Sequence, residues 1–243
     1  MKLEVPISYV AAGAAIVALA SYIPAFPVIG SGATMSAGMF ITPLIGILLG
    51  PISGMLAAAI GGLIGEFIAP YIAVFGPLTF LLPTTCAFVA GLVAFGRWKE
   101  GASAEAILLA VWYILTSIWW QGQEGAEIRW YFPFLHIITL ILVIVIGPRI
   151  SEWIATRDKK KIALGIFLAA LAGTISQHLL GNAFFIAMYS GPAKVFAVVL
   201  FVYPIERLLA ATIATIIGVP LLLGLRKIGM ELGPSYKPVS STF

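Results

Sequence analysis

The chain has 243 residues, is 61% hydrophobic, only 10% charged, and carries a formal net charge of +4. A soluble domain carries roughly 25% charged residues, and with a mean hydropathy of +1.07 this chain has too little polar surface to cover a water-facing exterior. That excludes the soluble classes and leaves an integral membrane protein; the apolar runs are continuous rather than alternating, which excludes an outer-membrane barrel and leaves helices, whose backbone groups bond within their own segment.

Eight apolar segments follow one another, over residues 6–24, 35–49, 51–69, 77–96, 105–120, 132–148, 162–188 and 195–225. Between Glu4 and Glu66 there is no charged residue at all. The first segment, PISYVAAGAAIVALASYIP, contains two overlapping small-xxx-small rows, Ala11 with Ala15 and Ala14 with Ala18. Small residues let helix backbones approach closely in lipid. The rows therefore read either as packing against this chain's own helices or as a docking face for another membrane protein. Ala18-Leu19-Ala20 before Ser21 also fits a signal cleavage site, but the mixed charge of Lys2 and Glu4 and the early Pro6 favour a retained span.

The loop 25–34 carries no charge and holds Pro27, Gly30 and Gly32, so it reads as a connector or as a lid with irregular backbone. The second segment is short for a span and contains Pro43; it crosses at a thin point or is shielded by protein. Gly50-Pro51 hinges it to the third segment, which ends near Glu66. Cys86, the single cysteine, excludes an internal disulfide and reads as a small packing residue. Trp112, Tyr113, Trp119, Trp120, Trp130 and Tyr131 bracket the loop 121–131 and read as an interfacial aromatic belt.

Basic residues set the topology. With the N-terminus cytoplasmic and eight crossings, the cytoplasmic segments hold 11 of the 14 Lys and Arg residues. The external loops hold only Arg129 and Lys194, and Arg207 sits inside a span. This is the bias of the positive-inside rule, and it puts both termini in the cytoplasm. Residues 228–243 are then a cytoplasmic tail. A weak internal repeat aligns Gly54–Phe67 with Gly165–His178, placing Glu66 opposite Gln177.

No Walker A loop, HExxH or GxSxG occurs, and there are only two histidines, His136 and His178. No enzyme chemistry, cofactor or metal site is expected, and no basic face with interleaved aromatics suggests nucleic acid. The informative residues are the few polar side chains inside spans: Glu66, Gln177, His178, Asn182, Glu206 and Arg207. An ionisable group in hydrocarbon costs at least about 2.5 kcal/mol, so it faces protein or water and has a partner. His178 and Asn182 are one helical turn apart and share a face. Pro204 removes a backbone donor and can free the carbonyl of residue 200. All these groups fall in the outer half of the membrane. They read as a solute pocket, or as a polar network fixing helix packing with Glu206 or Glu66 paired to Arg207.

The Ala-xxx-Ala first span, the Pro/Gly-containing loop, the short second segment, Leu-Leu-Gly-Pro-Ile-Ser-Gly and a small-residue third span ending in an acidic residue resemble the substrate-binding S components of energy-coupling-factor (ECF) transporters. The final PLLLGLRK is similar in style. The resemblance lies mainly in residues 6–70. It implies a high-affinity vitamin or micronutrient site near the external face, a membrane T-component partner and two cytoplasmic ATPases. It implies Ala11, Ala14, Ala15 and Ala18 as the docking face and loop 25–34 as a gate. S components usually have six spans, so 105–148 reads as an inserted helical hairpin.

The expectation is an all-α polytopic protein of the cell membrane, one domain over 1–243 with about eight transmembrane helices. It would be the solute-binding subunit of an ECF-type importer, with Glu66, His178, Asn182, Glu206 and Arg207 contacting a small molecule and Tyr203 stacking on its ring. Two alternatives stand beside it. One is a stand-alone proton- or sodium-coupled transporter of two four-helix repeats, with Glu206 or Glu66 as the proton site. The other is a membrane structural or assembly protein with no substrate.

Overall fold

The computed structural model describes residues 3–27, 29, 32 and 34–235. Part of loop 25–34, and Lys2 and Lys237 with the end of the tail, lie outside the described residues. Among the described residues the order is α1 (Ile7–Ser21), β1 (Pro24–Pro27), β2 (Thr34–Ser36), α2 (Gly38–Leu49), α3 (Pro51–Ile68), α4 (Leu81–Ala94), α5 (Trp98–Trp119), α6 (Ile128–Tyr131), α7 (Phe134–Ala155), α8 (Lys159–Tyr189) and α9 (Ala193–Lys227). Apart from the single turn α6, eight helices occur where eight apolar segments were read. Counting the turn before α4 and α6 before α7, six stretches are long and apolar enough to cross a membrane; α1 and α2 are shorter. The protein is an all-α, multi-pass membrane protein.

The hinge between α2 and α3 is one residue. Gly50 takes a φ of +91°, which a side chain disfavours, and Pro51 starts α3 where its missing N–H costs nothing. Glu4 caps the new helix: its carboxylate accepts from the Ser53 N–H and hydroxyl at 2.8 Å each and from the Ile52 N–H at 3.2 Å. In return the Glu4 N–H donates to Ser53 Oγ at 2.9 Å. These bonds satisfy donors that a helix start leaves open, and they tie the N-terminal segment to α3.

The short α2 is shielded by protein. Ten of its twelve residues are buried, packed against α1, α3, α4, α8 and α9. Glycines make this possible. A Cβ on Gly46 would run into the Ala87 carbonyl of α4, and one on Gly54 would lie 2.7 Å from Gly46 Cα. Such close backbone contact supplies the packing that hydrophobic exclusion cannot supply in lipid. α4 lies between α3 and α8, and α8 is the central post, with α5, α7 and α9 also packed along it. Cys86 is a buried free thiol at the α4–α8 contact, where a Cβ on Gly173 would sit 2.6 Å from its carbonyl.

Contacts between helix ends define two ends of the bundle. At one, Tyr71 Oη donates to the Tyr22 carbonyl, Tyr189 Oη to Val74 and Trp120 Nε1 to Gly191. At the other, Glu4 meets Ser53, the Gly233 N–H donates to the Leu48 carbonyl, and Arg226 donates to the Thr156 and Ile154 carbonyls. The described N-terminal and C-terminal segments thus share one end. That end also holds Arg97, Lys99, Arg157 and Lys159–Lys161 at the helix junctions.

One expectation needs correction. Trp112 and Trp120 are not in a surface belt: both are fully buried, in a cluster with Phe132 and Phe196. Only Trp119, Trp130 and Tyr131 are exposed as a belt requires. The α1 alanines also divide. Ala14 and Ala18 are buried against the chain's own helices, while Ala11 and Ala15 face outward. A single helix face holds either row, and Gly13, Gly61 and Val17 draw the Ala14–Ala18 row inward.

Candidate solute cavity

The polar groups of α8 and α9 converge at the end away from the basic residues. Glu206 and Arg207 enter from α9, and Gln177, His178 and Asn182 from α8. They line a cavity of about 140 Å3 whose remaining walls are mostly apolar, with Phe75, Phe185 and Phe196 among them. Its cover is the hairpin β1–β2, antiparallel with Phe26 opposite Met35 and Pro27 opposite Thr34; Pro27, Ile29 and Met35 face the cavity. Loop 25–34 was not expected to contain strands, and its only sequence signal was the Gly/Pro content.

Arg207 is the cavity's buried cation, 2% exposed. Its Nη2 donates to Met35 Sδ at 3.1 Å and lies 3.5 Å from Glu206 Oε2. A thioether is a weak acceptor, and the Glu206 contact is long. The buried Nε donates to nothing among the described residues. A guanidinium this poorly matched in a buried place has capacity left for an anionic group.

Behind the cavity stands an aromatic stack. His136 Nε2 and His178 Nδ1 are 3.1 Å apart, with their rings nearly parallel. The Tyr203 ring stacks on His178 at 4.7 Å. Asn182 Nδ2 lies 3.5 Å from the same His178 nitrogen. Tyr203 Oη donates to the Phe132 carbonyl at 2.6 Å and accepts from the Leu135 N–H at 3.3 Å. Tyr203 is fully buried and lies behind the cavity wall, where it holds the start of α7 and backs His178.

Glu66 occupies a second, smaller pocket of about 80 Å3. This pocket shares Met35, Val74, Leu82 and Gln177 with the first, so the two are contiguous. Of the six expected contact residues, four meet in one cavity, one lies next door and one stands behind. The carbonyl of residue 200 plays no visible part: Leu200 and Pro204 line a separate apolar groove with Trp130 and Phe134.

Sequence reasoning missed two buried ionisable groups. His136 lies in an apolar segment and was legible by the same argument that singled out His178. Glu105, the first residue of the apolar segment 105–120, is fully buried with both carboxylate oxygens unpartnered among the described residues. The hydrophobic lining of Phe75, Phe185 and Phe196 had no sequence signal beyond aromatic content.

No solved structure matches the chain. An uncharacterized protein of Methanocaldococcus jannaschii is 29% identical over 152 residues, which are 63% of this chain and 47% of that protein. The chain thus spans about half the length of the curated relative it matches. The profile of the family described as ECF-type riboflavin transporter, S component, matches residues 5–121, that is α1 to α5 with the hairpin between α1 and α2. That family is a transporter component rather than a class of enzyme, and the S-component resemblance read from the opening segments is supported by this match.

Proposed function

We propose that this protein is the solute-binding subunit of an ECF-type importer in the cell membrane, working with a T-type membrane subunit and separate ATPases. The observation that carries the proposal is the meeting of His178, Asn182, Glu206 and Arg207 in one cavity beneath a hairpin. The family match over α1–α5 supports the same reading. The basic end would face the cytoplasm by the positive-inside rule, which puts the cavity outside.

The solute is a vitamin-like small molecule with a flat ring and an anionic group. The apolar, aromatic walls suit the ring, and Arg207 suits the anion. An apolar cavity of about 150 Å3 accepts benzene, so the cavity as it stands takes a single ring. A flavin, the solute in the family's description, would require the hairpin to move outward.

The test is purification of the full chain in mild detergent without partners, followed by mass spectrometry of the small molecules it retains. A planar anionic compound is expected, lost in Arg207→Gln and in Asn182→Ala while helicity is unchanged. In liposomes the chain alone should accumulate none of it. Undiminished retention in both folded variants, or uptake by the chain alone along an ion gradient, would overturn the proposal.

A further inference from the structure

The 80 Å3 pocket beside the solute cavity has mostly apolar walls into which several side-chain oxygens are set. Glu66, Gln177, Ser21, Ser36, Thr42 and Thr79 all line it, and no Lys, Arg or His does. Two of the hydroxyls have already committed their protons. Thr42 Oγ1 donates to the Gly38 carbonyl at 2.6 Å and Ser21 Oγ to the Val17 carbonyl at 2.9 Å, each within its own helix. Only their lone pairs remain to offer. Thr79 Oγ1 accepts from the Phe75 N–H at 2.8 Å and braces the pocket's rim.

Two further acceptors are stranded. Glu66 Oε1 and Gln177 Oε1 are both buried without a donor among the described residues. A buried oxygen without a donor has lost its hydration with nothing in return, at greater cost if it is charged. Ser21 Oγ, on the same pocket wall, is fixed by close packing: a Cβ on Gly65 would lie 2.6 Å from it and one on Gly38 3.5 Å. α1, α2, α3 and α8 thus each deliver an oxygen to one small space.

We infer that this pocket is a binding site for a monovalent cation, sodium, held by Glu66, Gln177, Thr42 and Ser21. Hard oxygen ligands suit a hard cation. A single carboxylate balances one positive charge. A divalent ion would leave a net charge inside the membrane, where isolated charge is heavily penalised. The volume admits an ion with a water molecule or two, since one water takes about 30 Å3. The site does not depend on the solute reading: of its four ligands only Gln177 also lines the solute cavity. It touches the solute cavity through Gln177 and Met35, so an ion here orders two residues of the solute wall. Each bound species then raises the other's affinity by the same factor.

The experiment uses the full chain in detergent, with melting followed by tryptophan fluorescence. Sodium chloride is titrated against choline chloride at constant ionic strength. The midpoint is expected to rise and saturate with sodium and not with choline, and equilibrium dialysis with radioactive sodium should give a single bound ion per chain. Thr42→Val keeps the shape and removes a ligand, so the half-saturating sodium concentration should rise about tenfold, a change of about 1.4 kcal/mol. Glu66→Gln should abolish the response. Coincident sodium and choline curves with no bound tracer would overturn the inference. So would a midpoint that follows pH alone, which would assign a proton to Glu66 instead. If Glu66→Gln fails to fold, wild-type dialysis and Thr42→Val decide the matter.

Discussion

Arg207 Nη2 donates to Met35 Sδ at 3.1 Å, joining α9 to the hairpin across 172 positions of sequence. The cavity's cation is thereby also a latch for its cover. An anion arriving at Arg207 finds Nε without a partner among the described residues, so it can bind while Nη2 stays on Met35 Sδ.

The latch predicts the behaviour of Met35→Leu. The swap conserves volume and costs less than about 1.5 kcal/mol in packing, but it removes the sulfur acceptor. The purified variant should fold normally and lose its retained small molecule faster, by about tenfold for 1.4 kcal/mol. A dilution chase followed by mass spectrometry measures this. An unchanged rate of loss would show that the hairpin does not hold the solute.

Tyr203 gives a contrasting prediction. Its hydroxyl bonds two backbone groups, at Phe132 and Leu135, where α6 gives way to α7. Tyr203→Phe leaves both backbone groups unpaired in a buried place, at a cost of about 1–3 kcal/mol. The melting midpoint should fall, while the set of molecules retained should stay the same.

Much of this was legible in the chain, and the failures share a cause. The eight apolar segments and the Gly50-Pro51 hinge follow from hydropathy and from residues with special backbones, both local properties. The convergence of His178, Asn182, Glu206 and Arg207 followed from the cost of polar groups in lipid, which is also nearly local. What hydropathy does not encode is azimuth, the side of a helix that meets protein. Trp112 and Trp119 are equally aromatic, and only packing against Phe132 and Phe196 makes the first one core. Ala14 and Ala15 are identical residues, separated by 100° of helix. Tyr203 and Arg207 are one turn apart on α9, yet the first backs the cavity and the second enters it.

At the basic end, Glu4 does the work of a helix cap from outside the helix. Glu4→Ala removes three acceptor contacts to Ile52 and Ser53 and leaves α3 without its N-terminal partner. The cost should be about 1–2 kcal/mol, in the range of other cap deletions. Thermal melts read it, and Ser53→Ala should give a smaller loss in the same direction. Equal stability of wild type and Glu4→Ala would show that water caps α3 just as well.

The divided face of α1 separates folding from partnership. Ala14 is 4% exposed and Ala18 5%, and a Cβ on Gly61 would strike the Ala14 carbonyl, so this row is already in contact with α3. Ala14→Leu or Ala18→Leu overfills that contact and should destabilise the isolated protein by about 1–3 kcal/mol. Ala11 and Ala15 look outward, beside exposed Ile16 and Leu19. Ala11→Leu and Ala15→Leu should therefore leave melting unchanged and the retained solute in place. If a T-type subunit docks here, the added side chains hold its helix off, and co-purification of the two membrane subunits should drop by tenfold or more, the loss expected for about 1.4 kcal/mol. Co-purification that survives both outward substitutions would move the docking face elsewhere. Loss of binding with Ala14→Leu alone would mean that α1 detaches from α3 to meet its partner.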